Sequence, residues 1–171
     1  WTYSSRGLAK MELEDYSGAI ADYTKAIELD PDLAIAYNNR GNAKKNLEDY
    51  SGAIADYNKA IELDPDLAKA YSNRGVAKSK LYDYSGAIAD YSKAIELDPD
   101  LAIAYNNRGF AKTNLKDYYG AISDYSKAIE LDPNAYAYVN RGVAKKLIGD
   151  LNGACSDWKK AANLGHTNSA K

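Results

Sequence analysis

Five arginines raise the first chemical question in this sequence. Arg6, Arg40, Arg74, Arg108 and Arg141 each stand in a stretch that is otherwise apolar at helical spacing, and each is followed by glycine. A guanidinium buried alone costs on the order of several kcal/mol, so each needs a carboxylate. Asp22, Asp56, Asp90, Asp124 and Asp157 supply one, always 16 residues later. The pattern predicts five ion pairs: Arg6–Asp22, Arg40–Asp56, Arg74–Asp90, Arg108–Asp124 and Arg141–Asp157, with the arginine stacked on a tyrosine. Repetition argues for architecture, because buried paired charges set register and five identical pairs do not make an active site.

The second polar series is an amide series. Asn39, Asn73, Asn107 and Asn140 stand immediately before an arginine, with Ser5 in the first position. An amide both donates and accepts, which suits it to the backbone of an extended peptide whatever that peptide's sequence. Asparagine is a mediocre helix former, so its repetition on a helix asks for a ligand.

Other chemistry is sparse. One histidine, His166, lies at the tail, and Cys155 is the single cysteine. Neither belongs to a set with metal-ligand spacing. Cys155 stands in register with Ile20, Ile54, Ile88 and Ile122 and reads as a small core residue. Gly18, Gly52, Gly86, Gly120 and Gly153 recur at the start of helices and form no phosphate loop. The sequence therefore predicts no catalysis, no metal and no cofactor. The net charge of −2 leaves no basic stripe for nucleic acid. No apolar run approaches the ~20 residues of a membrane span. A chain that begins at Trp1 reads as processed or as a piece of a longer one, so its lack of a leader leaves the compartment open.

The elements that carry these residues repeat. Arg-Gly recurs with spacings of 34, 34, 34 and 33, and Leu-Asp-Pro ends at Pro31, Pro65, Pro99 and Pro133. The fifth unit lacks one residue just after Pro133, in a turn, where a deletion does not rotate a helix face. In residues 34–67, Tyr37, Gly41, Ala43 and Leu47 have helical spacing, and so do Ala53, Ile54, Tyr57, Ala60, Ile61 and Leu63. Asp49 between them is an N-cap, and Asp64-Pro65 stops the second helix. Each unit is thus a helical hairpin, and the chain is all-α. The expected units are 1–33, 34–67, 68–101, 102–134 and 135–166, with 167–171 as a tail, in one array.

Tyr37, Gly41, Ala53, Tyr57 and Pro65, recurring in phase through the chain, resemble the tetratricopeptide repeat. Two departures recur in all five units: arginine replaces the family's leucine, and Lys10, Lys44, Lys78, Lys112 and Lys145 replace its second aromatic. The resemblance implies a right-handed α-α superhelix of five hairpins, with first helices lining a concave groove and second helices forming the back. It implies a protein-interaction scaffold. It also places the asparagine series where some members hold an extended peptide.

In that reading the binding residues are Asn39, Asn73, Asn107 and Asn140, joined by Asn38, Asn42, Asn106, Lys69 and Phe110. Three variable rows surround them: Leu8, Asn42, Val76, Phe110, Val143; then Trp1, Ile35, Lys69, Ile103, Tyr136; then Met11, Lys45, Ser79, Thr113, Lys146. Lys45, Lys69, Lys80 and Lys146 against Glu12 favour a segment with some acidic character. Thirteen of the 16 tyrosines occupy three repeat positions as packing aromatics, leaving Tyr82, Tyr119 and Tyr136 for the surface. The family's clamp for a C-terminal carboxylate is not expected. Of the corresponding Asn38, Asn42, Asn73, Ile103 and Asn107, the two middle asparagines match, whereas both lysines and the arginine are missing. The alternative is structural: near-identical hairpins with uncapped ends would stack copy on copy, head to tail.

Overall fold

The computed structural model describes residues 2–165; Trp1 and the tail from His166 onward, including the 167–171 segment, lie outside the described residues. Its helices are α1 (Tyr3–Glu12), α2 (Tyr16–Leu29), α3 (Ala34–Asn46), α4 (Tyr50–Leu63), α5 (Ala68–Lys80), α6 (Tyr84–Leu97), α7 (Ala102–Asn114), α8 (Tyr118–Leu131), α9 (Ala135–Leu147) and α10 (Leu151–Asn163). The fold is all-α, in tandem pairs. The chain forms two compact units, residues 1–86 and 87–171.

Local chemistry sets the helix ends. Asp49 caps α4 by accepting the Gly52 N–H at 2.9 Å, and Asp15, Asp117 and Asp150 do the same for α2, α8 and α10. The glycine is needed for space: a Cβ at Gly52 would lie 2.1 Å from Asp49 Oδ2. The turn inside each hairpin places one residue in the left-handed region: Glu14, Glu48, Tyr82 and Lys116 at φ 58–65°, and Gly149 at φ 87°. Only the last turn gives that position to the residue suited to it.

The next turn differs in the fifth hairpin. Asp30, Asp64 and Asp98 each use their carboxylate to accept the N–H of Asp32, Asp66 or Asp100 at 3.1–3.2 Å. The one-residue deletion removes this arrangement. Asn134 instead caps α9 by accepting the Ala137 N–H, and donates its own amide to the Asp132 carbonyl.

Within the first unit α1 packs on α2, α2 on α3, α3 on α4 and α4 on α5; within the second, α7, α8, α9 and α10 pack in the same succession. The core is built from small residues around one aromatic ring per hairpin, a tyrosine in the first four and Trp158 in the fifth. Ala53 and Tyr57 of α4 meet Ala77 of the following hairpin, and Ala121 and Tyr125 of α8 meet Ala144. Ala19 and Tyr23 of α2 meet Ala43 in the same way. Gly41 lets the helices close onto the ring, since a Cβ there would stand 2.7 Å from Tyr57 Cε1.

Cys155 departs from expectation. It is exposed, not part of the core. Ile20, its counterpart, packs against the cluster that includes Ala43 of the next hairpin. Among the described residues no further hairpin lies against α10, so the same position is left open.

Candidate functional site

Two faces of the hairpins differ in chemistry. The outward face of the second helices carries i,i+3 ion pairs: Lys25–Glu28, Lys59–Glu62, Lys93–Glu96 and Lys127–Glu130 at 2.7–2.8 Å. The first helices of neighbouring hairpins run side by side, α1 with α3 and α3 with α5 in the first unit, α7 with α9 in the second. They expose apolar side chains: Leu8, Ile35, Ile103, Phe110, Tyr136 and Val143 are 41–69% exposed. Lys69 is exposed beside them. Tyr82 and Tyr119 are also exposed, each near a turn.

The arginines belong to the frame of this face. Arg40 Nε donates to Asp56 Oδ2 at 2.9 Å and Nη2 to Oδ1 at 2.7 Å, a planar two-point pair. Arg6–Asp22, Arg108–Asp124 and Arg141–Asp157 share this geometry. The buried member is the carboxylate, with Asp56 5% exposed against 17% for Arg40, so the side chain that most needs a partner is the aspartate. Asp90 is buried likewise.

Three further contacts surround each pair; the stacking on tyrosine was expected from the sequence and the other two were not. Asp22, Asp56, Asp124 and Asp157 each take a second cation from the lysine four residues after the arginine: Lys10, Lys44, Lys112 and Lys145 at 2.7–2.9 Å. Each guanidinium lies over the tyrosine three residues before it, from Tyr3 to Tyr138, at 5.2–5.5 Å. The remaining nitrogen reaches the preceding hairpin. Arg40 Nη1 donates to Thr24, Arg74 to Asn58, Arg108 to Ser92 and Arg141 to Ser126, at 2.7–3.1 Å. The signals were the i,i+4 spacing of arginine and lysine, and a small polar residue after every packing tyrosine.

The electrostatics follow. Hydrogen bonding from Arg6 outweighs burial and, with Lys10, holds the Asp22 carboxyl well below its ordinary range. Burial alone would raise Asp157; the bonds from Arg141 and Lys145 together pull it down instead. Burial pushes the Tyr125 hydroxyl up to about 12. It pulls the Lys45 ammonium down, and Lys45 has no carboxylate partner among the described residues.

The tyrosine hydroxyls end near the same face. Tyr57 donates to Asn42 Oδ1 at 2.8 Å, and Tyr125 bonds Thr113 at 3.3 Å. In the first hairpin those two positions are Leu8 and Met11, and the buried hydroxyl of Tyr23 finds no partner among the described residues. Met11 packs on the core cluster of Ala19, Tyr23 and Ala43, so the third expected row lies partly between helices.

The asparagines divide into two groups. Asn38 is buried, donates to Asn39 Oδ1 at 3.2 Å and accepts from Asn73 Nδ2 at 3.0 Å. This corrects its placement among open binding residues: it faces the neighbouring first helix. Asn140 Nδ2 donates to Asn106 Oδ1 at 3.4 Å, the same link one hairpin pair later in the second unit. Asn73 and Asn140 thus join adjacent hairpins, so packing does supply a reason to repeat asparagine. Asn39 keeps its amide nitrogen, and Asn107 makes no side-chain hydrogen bond among the described residues.

No group of three or more potential metal-ligating side chains occurs among the described residues, and no helix among them is long and apolar enough to cross a membrane.

A core of alanines around one aromatic ring per hairpin, with a polar and apolar first-helix face, defines a helical-repeat interaction scaffold. The chain belongs to the tetratricopeptide repeat family. A TPR repeat model matches residues 7–48 and 83–116, and a tetratricopeptide repeat model matches residues 34–67 and 102–134. Among solved structures it is similar to MamA, at 27% identity over 96% of this chain and 97% of that one, with a TM-score of 0.85. It is similar to YrrB, described as a TPR protein with an unusual peptide-binding site, at 25% identity over 98% and 88%, with a TM-score of 0.80. MamA from Desulfovibrio magneticus RS-1 shares the fold at 20% identity over 97% and 94%, with a TM-score of 0.87. A comparison with curated proteins finds no match.

Proposed function

We propose that the first-helix faces bind an extended peptide segment without catalysis. The observation that carries this is the asymmetry between faces: ion-paired second helices against first helices that expose Ile35, Ile103, Phe110 and Tyr136 among amides. Exposed apolar side chains rimmed by polar groups mark interaction surfaces. Asn39 and Asn107 hold the peptide backbone, and Asn42, Asn73, Asn106 and Asn140 contribute the amide atoms not used between hairpins. Lys69 and Phe110 read side chains. In the first unit Lys45, Lys69 and Lys80 favour acidic residues, because a carboxylate would relieve the half-buried Lys45. The likeness to YrrB, whose description includes a peptide-binding site, supports the reading.

The test is selection from a random peptide library, followed by photo-crosslinking of a selected peptide. Crosslinks should fall on α1, α3 and α5 or on α7 and α9. Crosslinks confined to α2, α4, α8 or α10 contradict the proposal.

A second reading, head-to-tail assembly of copies, rests on α10. Tyr16 and Ile20 of α2 pack toward Ala43 of the following hairpin, whereas their counterparts Leu151 and Cys155 are exposed. Sedimentation at rising concentration tests it. A mass that stays at 18.7 kDa excludes assembly, and one that climbs supports it.

A further inference from the structure

A pocket stands beside the shortened fifth turn, and the chemistry of its carboxylate differs from that at the turns of regular length. An open cavity of about 240 Å³ lies between α7 and α9, lined by Ala102, Ile103, Asn106, Asp132, Asn134 and Tyr136. Its walls are apolar, from Ile103 and Tyr136. Its polar groups are unequal. Asn134 is spent, accepting from Ala137 and donating to the Asp132 carbonyl, and Asn106 Oδ1 is taken by Asn140. The Asp132 carboxylate is different. Asp30, Asp64 and Asp98 at its position all accept a backbone N–H two residues on. Among the described residues Asp132 carries neither a hydrogen bond to its carboxylate nor an ion pair, because the shortened turn hands the capping role to Asn134.

We infer that this pocket is a subsite for a basic side chain, arginine or lysine, of the extended peptide. This deepens the peptide-binding reading and rests on it. The chemistry is complementary at both ends of such a side chain. Its methylene stem covers Ile103 and Tyr136, while its cation reaches the free carboxylate of Asp132 and lies near the ring of Tyr136. An acidic side chain is repelled there, and a purely apolar one leaves Asp132 facing hydrocarbon. At the second unit's pocket the recognised residue is therefore basic.

The test uses blocked tripeptides with arginine, citrulline or norleucine at the centre, titrated at millimolar concentration into isotope-labelled protein and followed by backbone amide shifts. The arginine peptide should move the amides of Ile103, Asn106 and Tyr136 and bind about 3- to 10-fold more tightly than its neutral isostere citrulline, the range of one solvent-exposed charged contact. Asp132→Asn should erase that preference while leaving the amide spectrum folded. Inserting one residue after Asn134, restoring the regular turn length, should erase it as well. Equal affinity for arginine and citrulline overturns the inference, as does a preference that survives Asp132→Asn, shifts that map elsewhere, or no binding by any of the three. The outcome is separable from that of the asparagine ladder. If Asn39→Ala with Asn107→Ala leaves the affinity of a selected peptide unchanged, the ladder fails while the arginine preference stands; if only the preference is missing, the pocket fails while the ladder stands.

Discussion

At the scale of the residue, the decisive group is a buried aspartate held by two cations. Arg108→Leu strands Asp124 only partly, because Lys112 remains 2.7 Å away. We expect a loss of about 1–3 kcal/mol for Arg108→Leu and less for Lys112→Leu. The double variant should lose more than their sum, since the second cation is then absent as well. Urea unfolding of the three variants measures this, and strictly additive losses contradict shared neutralisation. Asp22 and Asp157 have folded pKa values below the ordinary carboxylate value of 3.8. Their stabilisation is therefore fully present above that value and is lost as pH falls through it toward the lower folded one. The urea midpoint should be flat from about pH 7 to 5 and drop below about pH 4. The tyrosine hydroxyls make a sharper contrast. Tyr57→Phe removes a bond to Asn42 and should cost about 1 kcal/mol, whereas Tyr23→Phe removes a buried hydroxyl without a described partner and should be neutral or stabilising.

At the scale of the element, the hairpins owe their closure to caps and to one strained turn residue. Gly120→Ala would place a Cβ 2.1 Å from Asp117 Oδ2 and break the cap of α8, at a cost of about 1–2 kcal/mol. Lys116→Gly acts in the opposite direction. Lys116 sits at φ 65°, where a side chain is disfavoured, and glycine there should raise stability by up to about 1 kcal/mol. Thermal unfolding of the two variants, each against the parent chain, checks both signs. The elements themselves were legible in the sequence: the repeat spacing, Asp49 as a cap and Asp64-Pro65 as a stop are local signals, and α4 runs between them. What was not legible depends on neighbours. Cys155 matches a series of isoleucines in register, yet its burial is decided by whether another hairpin packs on it. Asn38 and Asn39 are adjacent and chemically identical; only the approach of α5 decides that the first is buried against Asn73. The freed carboxylate of Asp132 needed the geometry of the altered turn, although the deletion that frees it was visible from the spacing.

At the scale of the molecule, the central claim is that the first-helix faces bind an extended peptide through amides that folding leaves available. Asn73 and Asn140 are poor probes of it, because their amides also link hairpins. Asn39 and Asn107 are better, since one keeps its amide nitrogen and the other has no side-chain hydrogen bond among the described residues. Each should contribute about one net hydrogen bond, roughly 0.5–1.5 kcal/mol. The most direct measurement is calorimetric titration of a library-selected peptide into Asn39→Ala with Asn107→Ala, with Lys59→Ala on the ion-paired face as control and the melting temperature of each variant recorded alongside. The account predicts a loss of about 10- to 100-fold in the double variant, an unchanged affinity and melting temperature in Lys59→Ala, and in the double variant only the modest drop in melting temperature expected from removing the acceptor of the buried Asn38 amide. A double variant that melts early and binds as tightly as the parent would contradict it.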